Sequence, residues 1–318
     1  MRNKWKSGIM GVVVGDALGA PVQFESREEV AAAPVADMVG FRTFNLPAGT
    51  WTDDSSLTLA LVDSILRTGK LNHVDIMQNF VRWLEDGDFT PYGFSFDIGR
   101  GTVTAIEKYM ETHDPFTCGG TEPSNNGNGS LMRILPAVLY CIENGMSDDQ
   151  AVEAVHSVSA LTHAHVRAKI ACGLYYFMAR SILTYDGSLQ DVLQDGLDRG
   201  FRFYAAKGYS SEELHRYDRL RDLNALRATD AERIRTSGYV VDTIEAAVWG
   251  LVTTQSLPEA LLKIVNMGGD TDSIAAVAGG LAGLYYGYES IPDHWLAVIQ
   301  RRKWIEGLLS SLDSTRLQ

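Results

Sequence analysis

Residues 53–67 read DDSSLTLALVDSILR, and this stretch decides the fold class. Leu57, Leu61 and Ile65 recur at i, i+4 and i+8, with Val62 and Leu66 beside them, which puts one apolar face on a helix that opens with two carboxylates. Three more helix starts carry a side-chain acceptor followed three residues later by a group that reaches back: Ser147 with Gln150, Ser188 with Asp191, and Ser256 with Glu259. An apolar stripe follows each one. Val152, Val155 and Val158 follow the first, Leu189, Val192, Leu193 and Leu197 the second, and Leu261, Leu262 and Val265 the third. Period-2 alternation is missing, and so is the strand–helix alternation that builds a parallel sheet. The expected fold is therefore all-α. No Pro-, Gly- or Ser-rich linker and no internal repeat divides the chain, so residues 1–318 are read as a single domain. The stretch from Tyr185 to Thr236 is the most charged and least patterned, and is expected at the periphery as helices joined by exposed loops.

The 318 residues are 45% hydrophobic and 21% charged, a balance that supports a large core and excludes disorder. With 28 basic and 40 acidic residues the net charge is −12, and no run of Lys or Arg offsets it. Nucleic acid and anionic membrane are thereby disfavoured as partners. Cys118, Cys141 and Cys172 are odd in number and in no CxxC pattern, which fits a reducing cytoplasm and indicates neither a disulfide framework nor a zinc knuckle. The N-terminal stretch has basic residues before an apolar run, but Asp16 interrupts it within the length of a signal-peptide core, so secretion is not expected. The apolar run from Ile274 to Tyr286 is shorter than the roughly 18 residues a membrane-spanning helix needs.

Two acidic clusters open core helices. Thr52-Asp53-Asp54-Ser55 begins the helix already described, and Asp270-Thr271-Asp272-Ser273 begins the run from Ile274 to Tyr286. Taken singly, each is explained as a helix cap, since Asp near a helix start satisfies free N–H groups and complements the dipole. Taken together, they place four carboxylates at the buried ends of core helices with no Lys or Arg in either motif to neutralise them. A cation would neutralise them, and an all-oxygen donor set suits Mg²⁺ or Mn²⁺, whereas zinc recruits His or Cys. Four carboxylates suffice for two ions about 3.5–4 Å apart, although spacing alone does not fix the number. The helix after Asp272 carries Gly279, Gly280 and Gly283 among alanines. A glycine inside a helix costs roughly 0.5–1 kcal/mol against alanine, so three of them point to close approach by another helix.

Asn125-Asn126-Gly127-Asn128-Gly129-Ser130-Leu131-Met132-Arg133 offers glycines and a hydroxyl ahead of a helix-like segment, a combination that presents free N–H groups to a phosphate. Taken alone, an Asn-Gly turn is the simpler account. The dinucleotide fingerprint fails, because Met132 stands where its third glycine belongs. Thr162-His163-Ala164-His165 lacks the further ligands of a zinc site. Phe96-Asp97-Ile98-Gly99 is unremarkable in isolation.

In order along the chain, these pieces resemble the ADP-ribosylglycohydrolase family. The matching stretches are Gly15-Asp16-Ala17-Leu18-Gly19, Thr52-Asp53-Asp54, Phe96-Asp97-Ile98-Gly99, Gly127 to Arg133, Thr162-His163, Ser237 to Thr243, and Gly269-Asp270-Thr271-Asp272-Ser273. The resemblance implies a compact helical fold with a two-metal cleft, Mg²⁺ or Mn²⁺, that removes ADP-ribose from a modified protein side chain. It implies Thr52, Asp53, Asp54, Asp270, Asp272 and Ser273 as metal ligands, Gly127, Gly129 and Ser130 at the diphosphate, His163 beside it, and Tyr239 at the adenosine end. It also makes Asp97 the carboxylate that positions or deprotonates water or handles the leaving group, and favours ADP-ribosylarginine as the substrate. One position departs from the pattern: Gln23 stands where many relatives have Glu, and Glu25, two residues on, is the candidate replacement.

Three other readings compete. Asp270 and Asp272 resemble the DxD pair of a phosphohydrolase, but that pair normally ends an early strand rather than opening a late helix. A silent ADP-ribose-binding protein is a second reading, weakened by the intact ligand set. The third is an antagonist that grips a cognate ADP-ribosyltransferase, as an antidote to a toxin. A monomer in the cytoplasm is the default expectation.

Overall fold

The computed structural model describes residues 2–315. In chain order its helices are α1 (Arg2–Gly19), α2 (Arg27–Ala32), α3 (Asp53–Thr68), α4 (His73–Asp86), α5 (Arg100–Thr112), α6 (Leu135–Glu143), α7 (Asp148–Ala160) and α8 (Val166–Thr184). There follow α9 (Leu189–Ala206), α10 (Ser211–His215), α11 (Leu223–Arg227), α12 (Val240–Val252), α13 (Leu257–Val265), α14 (Thr271–Tyr286), α15 (Asp293–Val298) and α16 (Arg302–Thr315). Among the described residues there is no strand, only isolated bridges between Gly120 and His163 and between Gly127 and Tyr239. The all-α reading therefore holds. One hydrophobic core runs from Trp5 to Leu312 through nearly every helix. No helix among the described residues is long and apolar enough to cross a membrane.

The centre of the fold is the pair α1 and α14, the two helices in most extensive contact. Small residues make this possible. A Cβ added to Gly11 would lie 2.1 Å from the Gly279 carbonyl oxygen, and one added to Gly279 would lie 2.1 Å from that of Gly11. Gly15 packs in the same way on the Ala275 carbonyl, and Gly283 on that of Ser7. The glycines of α14 thus serve the close helix approach that their spacing predicts, and the partner is the N-terminal helix with its interrupting Asp16. Both helices are almost wholly buried. Their packing fixes where α14 begins, and so where Asp270, Asp272 and Ser273 stand.

The three expected caps form, with differences in detail. Ser147 and Gln150 make the reciprocal capping box. Ser188 accepts from the Asp191 amide, but its hydroxyl donates to the Asp191 carboxylate, so the return bond is side chain to side chain. Ser256 accepts from the Glu259 amide, while Glu259 accepts from the amide of Gln255, one residue before the cap. The charged stretch 185–236 folds as α9, α10, α11 and two short 3₁₀ turns, with its exposed side paired through local ion bridges such as Arg221–Asp218 and Arg216–Glu212.

Candidate active site

The N-termini of α3 and α14 meet at the floor of an open cleft of about 620 Å³. Asp53, Asp97, Asp270, Ser273, Gly127, Gly129 and His163 line it. Asp54 and Asp272 lie just beneath, at 1% and 0% exposure. The helix-cap account of these acids fails for Asp270: it occupies the N-cap position of α14 without capping it, and its Oδ2 instead accepts from the Asn128 side-chain amide at 2.5 Å. Thr52 does cap α3, through a long bond from the Asp54 amide. Its hydroxyl also lies 3.3 Å from Asp54 Oδ2, which accepts from Ser273 Oγ at the same distance, so the two helix starts are tied together.

Asp16 carries a role that the sequence left unassigned. Fully buried on α1, it accepts from the backbone amides of Thr52 and Ser55 and from both their hydroxyls, the Ser55 hydroxyl at 2.5 Å. A single carboxylate thus anchors the first turn of α3 and aims Asp53 and Asp54 at the cleft. Its pKa is pushed up to about 7 by burial, against the pull of those hydrogen bonds. The available signal was a lone Asp inside an apolar helix, which is costly unless it is bonded.

Burial also raises Asp53, Asp54 and Asp272 well above the usual carboxylate range, reinforced by the charges of their acidic neighbours. Asp270 and Asp97 shift in the same direction, again chiefly through burial. Among the described residues no ion pair involves any of these acids. Asp54 Oδ1 and both oxygens of Asp272 accept from no backbone amide, side-chain amide or hydroxyl. Asp97 lies close enough to Asp272 for a proton on one to bridge to the other, which their raised pKa values favour. Buried acceptors without donors are what a bound cation satisfies, and the carboxylates with the Thr52 and Ser273 hydroxyls are hard oxygen donors of the kind Mg²⁺ or Mn²⁺ takes. No three acidic, His or Cys side chains among the described residues yet converge as a ligand cage. The fit therefore rests on donor chemistry and on the three orphaned oxygens.

Asp97 sits on a loop at the mouth, in the left-handed backbone region at φ 54°, and accepts from Gln23 Nε2 at 3.0 Å. Around it are exposed apolar groups: Phe24 is 70% exposed, Phe94 50% and Ile98 40%. Phe94 lies 6.0 Å from both Tyr92 and Phe96, ring centre to ring centre, so the rim is an aromatic chain. Glu25 does not join the site. Its carboxylate pairs with Arg42 and its carbonyl accepts from the Gly269 amide, while Gln23 is the side chain turned to the cleft. The ion pair with Arg42 holds the Glu25 carboxylate outside the cleft lining, where it does not take the place expected for a replacement Glu.

The opposite wall is the turn Gly127–Arg133, which leads into α6 rather than being a helix start itself. Gly127 and Gly129 line the cleft, but Ser130 is fully buried, with its hydroxyl accepting from Ser159 and facing Cys172. Its side chain points into the core, away from any phosphate in the cleft. His163 is buried with one ring edge in the cleft, held by the backbone bonds of Gly120 to Thr162 and Ala164. Tyr239 stands one step outside, lining a shallow depression with Gly127 and Gly238 and lying 5.8 Å from the Arg167 guanidinium.

Comparison with known proteins identifies the family. The sequence pattern of the ADP-ribosylglycohydrolase family matches residues 1–317. ADP-ribosylarginine hydrolase Tri1 of Serratia proteamaculans (strain 568) is 31% identical over 98% of this chain and 79% of its own. ADP-ribosyl-[dinitrogen reductase] glycohydrolase of Rhodospirillum rubrum is 30% identical over 92% of this chain and 89% of its own. A solved structure, described as an ADP-ribosylglycohydrolase-related protein complex, superposes with a TM-score of 0.75 at 28% identity, covering 98% of this chain and 97% of that one. With the helical fold, the carboxylate floor and a match over almost its whole length, the chain belongs to the ADP-ribosylglycohydrolase family.

Proposed function

We propose that the protein hydrolyses the N-glycosidic bond joining ADP-ribose to an arginine side chain of a modified protein, and that two divalent cations, Mg²⁺ or Mn²⁺, complete its site. Family membership makes it a hydrolase of glycosidase type. The finer reading draws support from the relatives, two of which bear names that specify ADP-ribosylarginine or ADP-ribosyl-dinitrogen-reductase chemistry. The observation that carries the reading is the set of donorless buried oxygens of Asp54 and Asp272 beneath a cleft rimmed by Asp97.

Thr52, Asp53, Asp54, Asp270, Asp272 and Ser273 would hold the cations, with Asp16 fixing the first turn of α3 and Asn128 fixing Asp270. Bound there, such ions supply charge stabilisation and orientation of ribose hydroxyls and water. The bond at the anomeric carbon breaks through a transition state with oxocarbenium character. Asp97, oriented by Gln23, accepts the proton of the attacking water as the water oxygen bonds to the anomeric carbon; the C–N electron pair leaves on the guanidine nitrogen, which takes that proton back from Asp97. Gly127 and Gly129 leave the diphosphate side of the cleft uncrowded, His163 faces it, and Tyr239 offers a ring to the adenine end. The exposed rim of Phe24, Phe94 and Ile98 is where the acceptor protein would arrive.

The test is release of free ADP-ribose from an arginine-ADP-ribosylated protein with Mg²⁺ or Mn²⁺, with EDTA, and with Asp272→Ala. Release that needs the ion and disappears in the variant is expected. Tight binding of ADP-ribose without release from arginine or serine linkages would replace the enzyme reading with that of a binding module.

A further inference from the structure

Arg133 is the least explained charge in the molecule. It is fully buried, its guanidinium lies over the Phe80 ring at 4.7 Å, and its Nε and Nη1 have no partner. A buried guanidinium with donors to spare is expensive unless its remaining bond serves something. Nη2 donates to Thr162 Oγ1 at 2.8 Å and, at 3.5 Å, to the Val158 carbonyl, and Thr162 Oγ1 lies 2.8 Å from His163 Nδ1.

Proton accounting orders the chain. Arginine only donates, so Thr162 Oγ1 accepts from it. The hydroxyl has one proton, and the only other partner at hand among the described residues is His163 Nδ1. Nδ1 therefore accepts, and the ring proton sits on Nε2. Burial, with the Arg133 charge acting in the same direction, pushes the imidazole pKa down to about 3, so the ring is neutral. The Nε2 edge is kept open by three glycines. A Cβ on Gly101 would lie 3.0 Å from Nε2, one on Gly127 3.5 Å, and one on Gly129 3.3 Å.

We propose that Arg133 and Thr162 are positioning residues that lock His163 as a neutral Nε2–H donor aimed into the cleft, where it takes an anionic oxygen of the substrate's diphosphate. A freely titrating histidine would present either a donor or a bare acceptor to that oxygen, whereas this one presents a donor only. The ligand half of the proposal rests on the ADP-ribose reading above; the tautomer half does not.

Two measurements separate the halves. In protein labelled with ¹⁵N-histidine, long-range ¹H–¹⁵N spectra of the free protein at neutral pH should show His163 as the Nε2–H tautomer. Thr162→Val should move it to a mixture or to Nδ1–H, and Thr162→Ser should restore it. Calorimetry with ADP-ribose should show about tenfold weaker binding in Thr162→Val, recovered in Thr162→Ser. Arg133→Met should resemble Thr162→Val; if it does not fold, the Thr162 pair decides alone. A wild-type Nδ1–H tautomer, or a His163 signal indifferent to Thr162→Val, overturns the positioning role. A correct tautomer in a protein that does not bind ADP-ribose overturns the diphosphate assignment and the proposed function with it.

Discussion

The two walls of the cleft are built on opposite principles. The floor is made of helix starts: Asp53 and Asp54 open α3, Asp270 and Asp272 open α14, and both helices are packed on α1 in contact with almost no solvent. The mouth is made of loops, with Asp97 at a positive φ and exposed Phe24, Phe94 and Ile98 around it. The four acids of the floor sit on the most rigid elements of the fold, and Asp97 sits on a less constrained one. Changes to the floor should therefore cost the fold and the chemistry together, while changes to the mouth should alter the chemistry in a folded protein.

The largest effect is expected from Gly279→Val, which drives a branched side chain into the Gly11 backbone. It should destabilise by more than about 4 kcal/mol, measurable as collapse of the thermal transition, because no flexible neighbour can yield. A well-folded variant would break the comparison at its root. Next comes Asp97→Asn at the mouth. Loss of a general base, the role proposed for Asp97, lowers the rate about 10²–10⁴-fold, and turnover should fall by that order while the melting temperature and ADP-ribose affinity hold. An accompanying loss of fold would make the mouth as structural as the floor.

A smaller effect links the floor to pH. Asp16, Asp53, Asp54 and Asp272 have folded pKa values above their unfolded ones, so their contribution to stability is complete below about pH 4 and is lost as pH rises through the folded values, near 7 for Asp16. The EDTA-treated protein should melt at a lower temperature at pH 8 than at pH 5. Mg²⁺ or Mn²⁺ at about 100-fold over Kd should raise the pH 8 value by about 5–10 °C. Melting that rises with pH in EDTA would mean that the carboxylates are satisfied in some other way. The smallest effect belongs to Gln23→Leu, which removes one hydrogen bond to Asp97 and should reduce turnover by about fivefold, corresponding to about 1 kcal/mol. No change would show that Asp97 needs no orienting partner.

What was legible in the sequence is what is written locally. The helix from Asp53, the acid-rich start of the helix at Asp270, and the glycines that invite a neighbour are all spelled within a few turns, where periodicity and capping chemistry act. The links that complete the site join positions far apart: Asp16 to Thr52 across 36 residues, Gln23 to Asp97 across 74, and Arg133 to Thr162 across 29. No local rule reports such pairings. The same limit explains Ser130, whose place beside two glycines suggested a phosphate contact until tertiary packing turned its hydroxyl toward Ser159. It also explains Glu25, whose acidity said nothing of the waiting Arg42.

The pairing of α1 with α14 sets a timetable for biosynthesis. Helix α1 finds its glycine-for-glycine mate only when residues 271–286 have been made. At about 5–20 residues per second, that leaves it waiting on the order of 10–50 s. Throughout that interval Trp5, Ile9, Val13 and Leu18, all buried in the finished core, lack part of that core. The carboxylate floor can assemble only after residues 270–273 have been made.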